Sequence, residues 1–217
     1  MRYVIILLIS LFASFSISAN HRALTDTYIN NYKEIAIQEM QRTGIPASIK
    51  LAQGLLESNW GRSDLAKTAN NHFGIKCGSQ WNGGTFYKED DDRDKKGKLI
   101  ESCFRSFSSP TESYMAHSEF LLDPRKAYRY GFLFKYKSTD YKSWAKGLKK
   151  SGYATDPSYP KKLINIIENY GLNRFDKQGS ESRPARSDSK TITDKSNILA
   201  DAPQKAEVVD DKPKAEK

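Results

Sequence analysis

The first feature of the chain is a set of apolar positions that recur every three to four residues, the spacing of one face of an α-helix. In residues 25–43 this stripe is followed by Gly44, which favours a helix end, and Pro46 opens a second helix that runs to about Ser58. A third, shorter helix should begin after Ser63, because serine is a preferred N-cap residue. The N-terminal part is therefore predicted to be helical.

The pattern changes in residues 76–107, which hold four glycines, a run of acids and the short aromatic segments TFY and CFRSF. This composition predicts a small, turn-rich β-lobe. Helices return where Ser109, proline and Glu112 form a capping box, and the last predicted helix ends before Gly171. The predicted fold class is α+β, mostly α, with one β insertion in a helical domain.

The two ends of the chain differ from this domain. Residues 1–19 have one early arginine, an apolar run and small residues, which is the layout of a secretory signal peptide. A membrane anchor is the alternative, but the apolar run is shorter than the roughly 20 residues of a span. Residues 178–217 contain no aromatic residue and are predicted to be a disordered tail. Residues 20–177 should form one exported domain, with no stable membrane span after cleavage.

Charge is concentrated on this domain, which holds 26 Lys and Arg against 18 Asp and Glu. A basic exported domain favours acidic partners, and the polymers of the bacterial envelope are one such class. The absence of a nucleic-acid motif and the predicted export argue against nucleic acid as the partner. Charge that serves solubility alone is the other interpretation.

Cys77 and Cys103 are the only cysteines, and in an exported protein such a pair predicts a disulfide. The alternative is a metal site, but His21, His72 and His117 do not have the spacing of metal ligands. We therefore expect no metal.

A carboxylate occupies an unusual place at the end of the second helix. Glu57 follows an apolar run, and the C-terminal end of a helix already carries partial negative charge. Both the apolar surroundings and the helix dipole should raise the pKa of this side chain, as a general acid requires near neutral pH. The alternative is a solvated Glu57 or an ion pair with Arg62.

Three segments give this interpretation a context: ESNWG at residues 57–61, NNHFGIK at 70–76 and GYATDPSY at 152–159. In this order they resemble the glucosaminidase family of peptidoglycan hydrolases, glycoside hydrolase family 73, which includes the muramidase-like domain of flagellar rod-assembly proteins. The resemblance covers about residues 45–170. It implies a lysozyme-like fold, a helical lobe facing a small β-lobe, and activity without a metal or organic cofactor.

The resemblance also implies roles for individual residues. Glu57 matches the general acid that protonates the glycosidic oxygen of N-acetylglucosamine, and Tyr153 matches a tyrosine beside the scissile bond, although a core aromatic is the other interpretation. The second carboxylate of the family comes from the β-lobe, where this chain has an aspartate run instead of a clear glutamate. Asp91 or Asp92 falls nearest the position of the family's second acid. The other acids of this stretch are Glu89, Asp90, Asp94 and Glu101.

Sugar binding needs flat apolar surfaces and amide partners. The candidate residues are the aromatic side chains of Trp60, Phe73, Trp81, Tyr128 and Tyr130 and the amides of Asn70 and Asn71. Each aromatic residue could instead belong to the core.

The resulting hypothesis is an exported, monomeric peptidoglycan hydrolase of the endo-beta-N-acetylglucosaminidase type. Its second step would use water activated by Asp91 or Asp92, or the acetamido group of the substrate as nucleophile. A lytic transglycosylase and a wall-binding protein without catalytic activity remain the alternatives.

Overall fold

The computed structural model describes the backbone of residues 2–93 and 97–181 and the side chains of residues 21–90 and 97–181. Helices dominate this part of the chain, and a single hairpin interrupts them. The helices are α1 (Arg2–Thr43), α2 (Ala47–Glu57), α3 (Asp64–Ala69), α4 (Pro110–Leu122), α5 (Ala127–Tyr130), α6 (Tyr141–Lys150), α7 (Tyr159–Asn169) and α8 (Asn173–Glu181), and the strands are β1 (Thr85–Arg93) and β2 (Leu99–Arg105). Two short 3₁₀ helices, Pro124–Lys126 and Gly131–Lys135, flank α5. The predicted fold class, mostly α with one β insertion, is confirmed.

The core is built around α2, which is buried along its length from Ala47 to Leu55. It packs against α1, α6, α7 and α8. The apolar stripes predicted from the sequence face this helix, and Trp144 of α6 is among the largest fully buried side chains. The consequence for function is that α2 is held from several sides and its C-terminal residue, Glu57, has a fixed position.

The β-lobe is an antiparallel hairpin in which Thr85 pairs with Arg105 and Glu89 with Glu101. The register becomes irregular between Glu89 and Arg93. The predicted disulfide is confirmed, since Cys77 and Cys103 are bonded at 2.03 Å. The disulfide links the segment before β1, which contains Cys77, to β2, which contains Cys103.

Helix caps agree with the sequence pattern, with one change of partner. Ser63 accepts a hydrogen bond from the backbone of Ala66 at the start of α3, and Ser109 accepts one from Glu112 at the start of α4. The carboxylate of Glu112, however, accepts from the backbone and hydroxyl of Ser108 and not from Ser109. The helix still begins where the capping box predicts.

The sequence pattern did not predict α8. This helix continues to Glu181, so residues 178–181 of the predicted tail belong to it. Gly179 packs against Met40 of α1, where a Cβ atom would lie 2.7 Å from the sulfur. The helix was missed because it presents few apolar side chains; a buried aspartate, Asp176, anchors it instead.

Two predictions on the chain ends fall largely outside the described residues. The backbone of residues 2–19 is part of α1, but the side chains of the predicted signal peptide are not described, and neither is the tail from residue 182. Among the residues that the structure describes, no helix is long and apolar enough to cross a bilayer.

Candidate active site

A cleft of about 700 Å³ lies between the helical lobe and the β-lobe. The end of α2, the segment after α3, the hairpin and the segment around α7 all contribute side chains to it. These include Leu56, Glu57, Phe73, Lys76, Lys88, Asp90, Phe104, His117, Arg129, Tyr130, Tyr153, Asp156, Tyr159 and Lys162. The cleft therefore brings together four of the residues predicted from the sequence, Glu57, Phe73, Tyr130 and Tyr153.

Glu57 lies at the C-terminal end of α2 with its carboxyl group in the cleft. The hydroxyl of Tyr159 donates a hydrogen bond to Glu57 Oε1 at 2.8 Å, and Tyr159 itself accepts one from Gln53 Nε2 at 3.0 Å. Burial raises the pKa of Glu57, whereas the Tyr159 hydrogen bond and the charge of Lys162 act in the opposite direction. The net shift is upward, so the carboxyl group retains a proton at a higher pH than a glutamate free in water.

The residues that follow Glu57 turn the chain sharply away from the cleft. Asn59, Trp60 and Gly61 have φ values of 51°, 57° and 73°, the left-handed region that favours glycine. Arg62 bonds to the backbone and side chain of Asn59, so the alternative ion pair between Arg62 and Glu57 is not formed. The ESNWG motif thus ends the helix at the acid and leaves its carboxyl group facing the cleft.

Beside Glu57, aromatic rings form a continuous row. Phe73 stacks on His117 with centroids 4.2 Å apart, His117 meets the edge of Tyr153 at 6.0 Å, and Tyr153 stacks on Tyr159 at 5.9 Å. Tyr159 then reaches Glu57 through its hydroxyl. The row lines the cleft next to the carboxyl group of Glu57, and its partly exposed member, Tyr153, offers an aromatic surface of the kind that sugar sites use.

A buried lysine, Lys50, contacts the His117 ring of this row and was not predicted as a site residue. Lys50 Nζ donates to the carbonyl of Tyr114 at 2.9 Å and to Ser118 Oγ at 2.6 Å, and it lies 3.3 Å from His117 Nδ1. Since an ammonium only donates, Nδ1 accepts and the imidazole proton is assigned to Nε2. Burial lowers the pKa of Lys50 to about 7. The sequence signal for this site was a lysine within the apolar stripe of α2.

The β-lobe supplies a carboxylate from the predicted acidic run, at a neighbouring position. Asp90 lines the cleft and forms an ion pair with Lys76 at 3.0 Å. The backbones of Asp91 and Asp92 belong to β1, but their side chains lie outside the described residues. The structure therefore adds Asp90 to the two candidates for the second carboxylate.

The two asparagines of the NNHFGIK motif have a structural role that the sequence did not indicate. Asn71 is buried; its Nδ2 donates to the carbonyls of Ile75 and Arg105, and its Oδ1 accepts from the Ile75 backbone. Asn70 Nδ2 donates to the carbonyl of Phe107. These bonds give the two amides a role in joining the lobes. Their binding to acetamido groups stays a prediction.

Three predicted aromatic residues are not among the described residues that line the cleft. The Trp60 ring packs against His21 at 4.7 Å, and the Trp81 indole nitrogen donates to the carbonyl of Gly84. Tyr128 is 84% exposed. None of these three rings lines the cleft, whereas Tyr130, the fifth candidate, does.

Comparisons with known proteins identify the family of this chain. Residues 33–172 match the glucosaminidase family, described as mannosyl-glycoprotein endo-beta-N-acetylglucosaminidase. The chain is 38% identical over 130 residues to the exo-glucosaminidase LytG of Bacillus subtilis, a match that covers 59% of this chain and 45% of the relative. The chain thus spans less than half of the length of this curated relative.

Solved structures share the architecture. The catalytic domain of the autolysin Auto from Listeria monocytogenes matches with a TM-score of 0.58 and 27% identity, over 70% of this chain and 87% of that one. A peptidoglycan hydrolase from Sphingomonas sp. A1 matches with a TM-score of 0.54 and 27% identity, over 74% of this chain and 99% of that one. The lysozyme-like arrangement of a helical lobe and a small β-lobe is therefore common to these proteins.

Proposed function

This chain belongs to the glucosaminidase family, and on that premise we propose that it hydrolyses peptidoglycan glycan strands at N-acetylglucosamine, with Glu57 as the general acid. One observation carries the proposal: the Glu57 carboxyl group, which is accessible from the cleft between the lobes, has a pKa raised by desolvation and is oriented by Tyr159. The relatives named as an exo-glucosaminidase and as peptidoglycan hydrolases support the same reaction class.

The first step is protonation of the leaving group. Tyr159 holds Oε1 of Glu57 by donating to it, so the proton of the neutral acid resides on Oε2. Transfer of this proton to the glycosidic oxygen allows the bond to C1 to break, and the leaving sugar departs as a neutral hydroxyl. Tyr153, which stacks on Tyr159, provides a flat surface beside the bond that breaks.

The second step adds water to C1. Asp90 lies on the β-lobe side of the cleft, and its ion pair with Lys76 fixes the orientation of the carboxylate. We assign it, with Asp91 and Asp92 as the neighbouring candidates, the removal of a proton from the attacking water. Attack by the substrate's acetamido oxygen is the competing route, in which the carboxylate orients this group instead.

The proposed setting is the bacterial envelope. A disulfide is typical of proteins in an oxidising compartment, so the Cys77–Cys103 bridge supports export, and residues 1–19 would serve as the signal peptide. The mature protein would act as a monomer with residues 20–181 as its catalytic domain, residues 182–217 as a tail, and no nucleic-acid partner.

Glu57→Gln tests the central assignment, because it keeps the size of the side chain and removes the transferable proton. We expect turnover of purified peptidoglycan to fall about 10³- to 10⁴-fold, the upper part of the range for general acid catalysis. Circular dichroism should show an unchanged fold. Glu34→Gln, an exposed glutamate on α1, is the matched control and should retain full activity. Activity of Glu57→Gln within tenfold of wild type would exclude Glu57 as the acid.

Mass analysis of the products distinguishes hydrolysis from its closest alternative. Hydrolysis leaves a reducing sugar that has gained one water, whereas a lytic transglycosylase leaves an anhydro ring. Intact walls after prolonged incubation with the wild-type protein would favour a wall-binding protein without catalytic activity.

The second carboxylate is tested by replacing the three aspartates singly with asparagine. We expect Asp90→Asn to lower turnover about 10²-fold, the lower limit for general base catalysis, and Asp91→Asn and Asp92→Asn to have smaller effects. A loss below about tenfold in all three variants would contradict water activation by this run.

A further inference from the structure

The loop of residues 151–156, here called the Tyr153 loop, is held by a half-buried arginine. Arg129 Nε donates to the carbonyl of Ser151 at 3.1 Å, and Arg129 Nη2 donates to the carbonyl of Gly152 at 2.9 Å. Gly152 has a φ of 73°, and a Cβ atom there would lie 3.3 Å from Arg129 Nη2. The guanidinium is therefore fixed against the backbone immediately before Tyr153.

Two lysines hold the rest of the Tyr153 loop. Lys149 Nζ donates to the carbonyls of Ala154 and Thr155, at 3.1 and 2.5 Å, and Lys162 forms an ion pair with Asp156 at 2.8 Å. Three cations thus surround a loop that carries a single carboxylate. Only the charge of Lys162 is balanced by a direct ion pair within the loop.

The sequence places the domain's net positive charge in this region. Residues 124–162 contain eleven Lys and Arg and two Asp, whereas the rest of residues 20–177 contains fifteen Lys and Arg and sixteen Asp and Glu. The charge surplus is therefore a property of the segment that forms this wall of the cleft. A substrate group of opposite charge would be attracted to this wall.

Arg129 is the cation best placed to contact such a group. It lines the cleft, and among the residues whose side chains are described no carboxylate lies within 4.0 Å of it. Two of its nitrogens are bonded to backbone carbonyls, and Nη1 makes no hydrogen bond to any residue in the described ranges. Its orientation is thus set before a ligand arrives, which lowers the entropy cost of binding.

We propose that Arg129 binds a carboxylate carried by the sugar that neighbours the N-acetylglucosamine in the cleft. This inference rests on the proposed function, since in peptidoglycan that neighbour carries a lactyl ether whose carboxyl group is free or extended by a peptide with carboxylates of its own. A guanidinium forms directed, charge-assisted hydrogen bonds with a carboxylate. Arg129 would then distinguish the wall glycan from neutral polymers of N-acetylglucosamine.

Binding of three soluble disaccharides, measured by NMR titration, tests this inference. The ligands are N-acetylglucosaminyl-N-acetylmuramic acid, the same disaccharide with its stem peptide, and the neutral N,N′-diacetylchitobiose. We expect at least one carboxylate ligand to bind the wild-type protein about tenfold tighter than the neutral one, as one charge-assisted hydrogen bond would give. The tighter of the two identifies the source of the carboxylate. Equal affinity for all three would overturn the inference.

Variants separate carboxylate binding from loop support. Arg129→Gln should weaken binding of the carboxylate ligand about tenfold and leave the neutral ligand nearly unchanged. Lys149→Gln, which loosens the loop but keeps Arg129, should weaken all three alike. Lys146→Gln, an exposed change of the same charge on α6, should alter none of them. Equal weakening of charged and neutral ligands by Arg129→Gln would reduce Arg129 to a structural role.

The outcome is independent of turnover, because disaccharide binding does not require Glu57 to be the acid. If the wild-type protein leaves walls intact yet discriminates between the disaccharides, the proposed function fails and the carboxylate site stands. If it cleaves walls but does not discriminate, the proposed function stands and the carboxylate site fails.

Discussion

At the scale of single residues, the protonation state of Glu57 depends on two opposing effects. Burial favours the neutral acid, whereas the hydrogen bond from Tyr159 stabilises the carboxylate. Replacing Tyr159 with phenylalanine removes only the second effect, so the pKa of Glu57 should rise further. Because the general acid must be protonated, the alkaline limb of the pH–rate profile should move to higher pH in Tyr159→Phe.

The profile of kcat against pH on soluble glycan fragments checks this expectation. Tyr141→Phe is the matched control, since Tyr141 also donates to a glutamate, Glu168, but does so outside the cleft. Its profile should coincide with that of the wild-type protein. An alkaline limb that stays in place or moves to lower pH in Tyr159→Phe would contradict the role assigned to this hydrogen bond.

At the scale of elements, α8 stabilises the start of the helix that carries Glu57. Pro46 provides no side-chain cap for α2. Instead, Asp176 of α8 accepts from the Ser48 backbone at 2.8 Å and from the Ser48 hydroxyl at 2.6 Å. Asp176→Ala would leave these buried donors without a partner, so we expect the free energy of unfolding to fall by about 2 kcal/mol.

Urea unfolding of Asp176→Ala and Asp176→Asn measures this effect, with a smaller loss expected for asparagine because it keeps an acceptor. Burial raises the pKa of Asp176 to about 6, from 3.8 for an unperturbed aspartate. The native state therefore binds this proton more tightly than the unfolded state does. The resulting contribution to the free energy of unfolding is fully present below about pH 4 and is lost as the pH rises through 6. Asp176→Asn should lack this dependence. A change below 0.5 kcal/mol in Asp176→Ala would contradict the capping role.

At the scale of the whole molecule, activity requires the β-lobe to keep its position opposite Glu57. The Cys77–Cys103 bridge links two residues 26 positions apart at the base of this lobe. In the chain-entropy model, such a bridge raises the free energy of unfolding by about 3.5 kcal/mol. The buried helices lie outside this segment. Reduction should therefore lower turnover strongly while the helical circular dichroism signal changes little.

The double variant Cys77→Ala, Cys103→Ala should reproduce the effect of the reductant, which separates loss of the bridge from other effects of reduction. Turnover that is unchanged by both treatments would show that the hairpin keeps its place without the disulfide. Simultaneous loss of helical signal and activity would show that the bridge stabilises the whole domain.

The sequence by itself determined the features that depend on short-range physics. Apolar periodicity, caps and helix-stopping glycines predicted most helices and the β-lobe, and two cysteines predicted the disulfide. The position of Glu57 at the end of a buried helix was also readable, because burial and helix direction follow from the same stripe. The sequence pattern did not predict α8, because this helix is held by Asp176 and Gly179 rather than by an apolar stripe.

Only the tertiary structure decided which side chains meet. Tyr159 reaches Glu57 across 102 residues, and Asp176 reaches Ser48 across 128. The amide of Asn71, a plausible sugar ligand in sequence, is bonded to backbone on both sides of the lobe junction. Such contacts depend on how helices and hairpin pack, and no local pattern encodes them, because a polar side chain satisfies its hydrogen bonds with whichever group the fold brings near it.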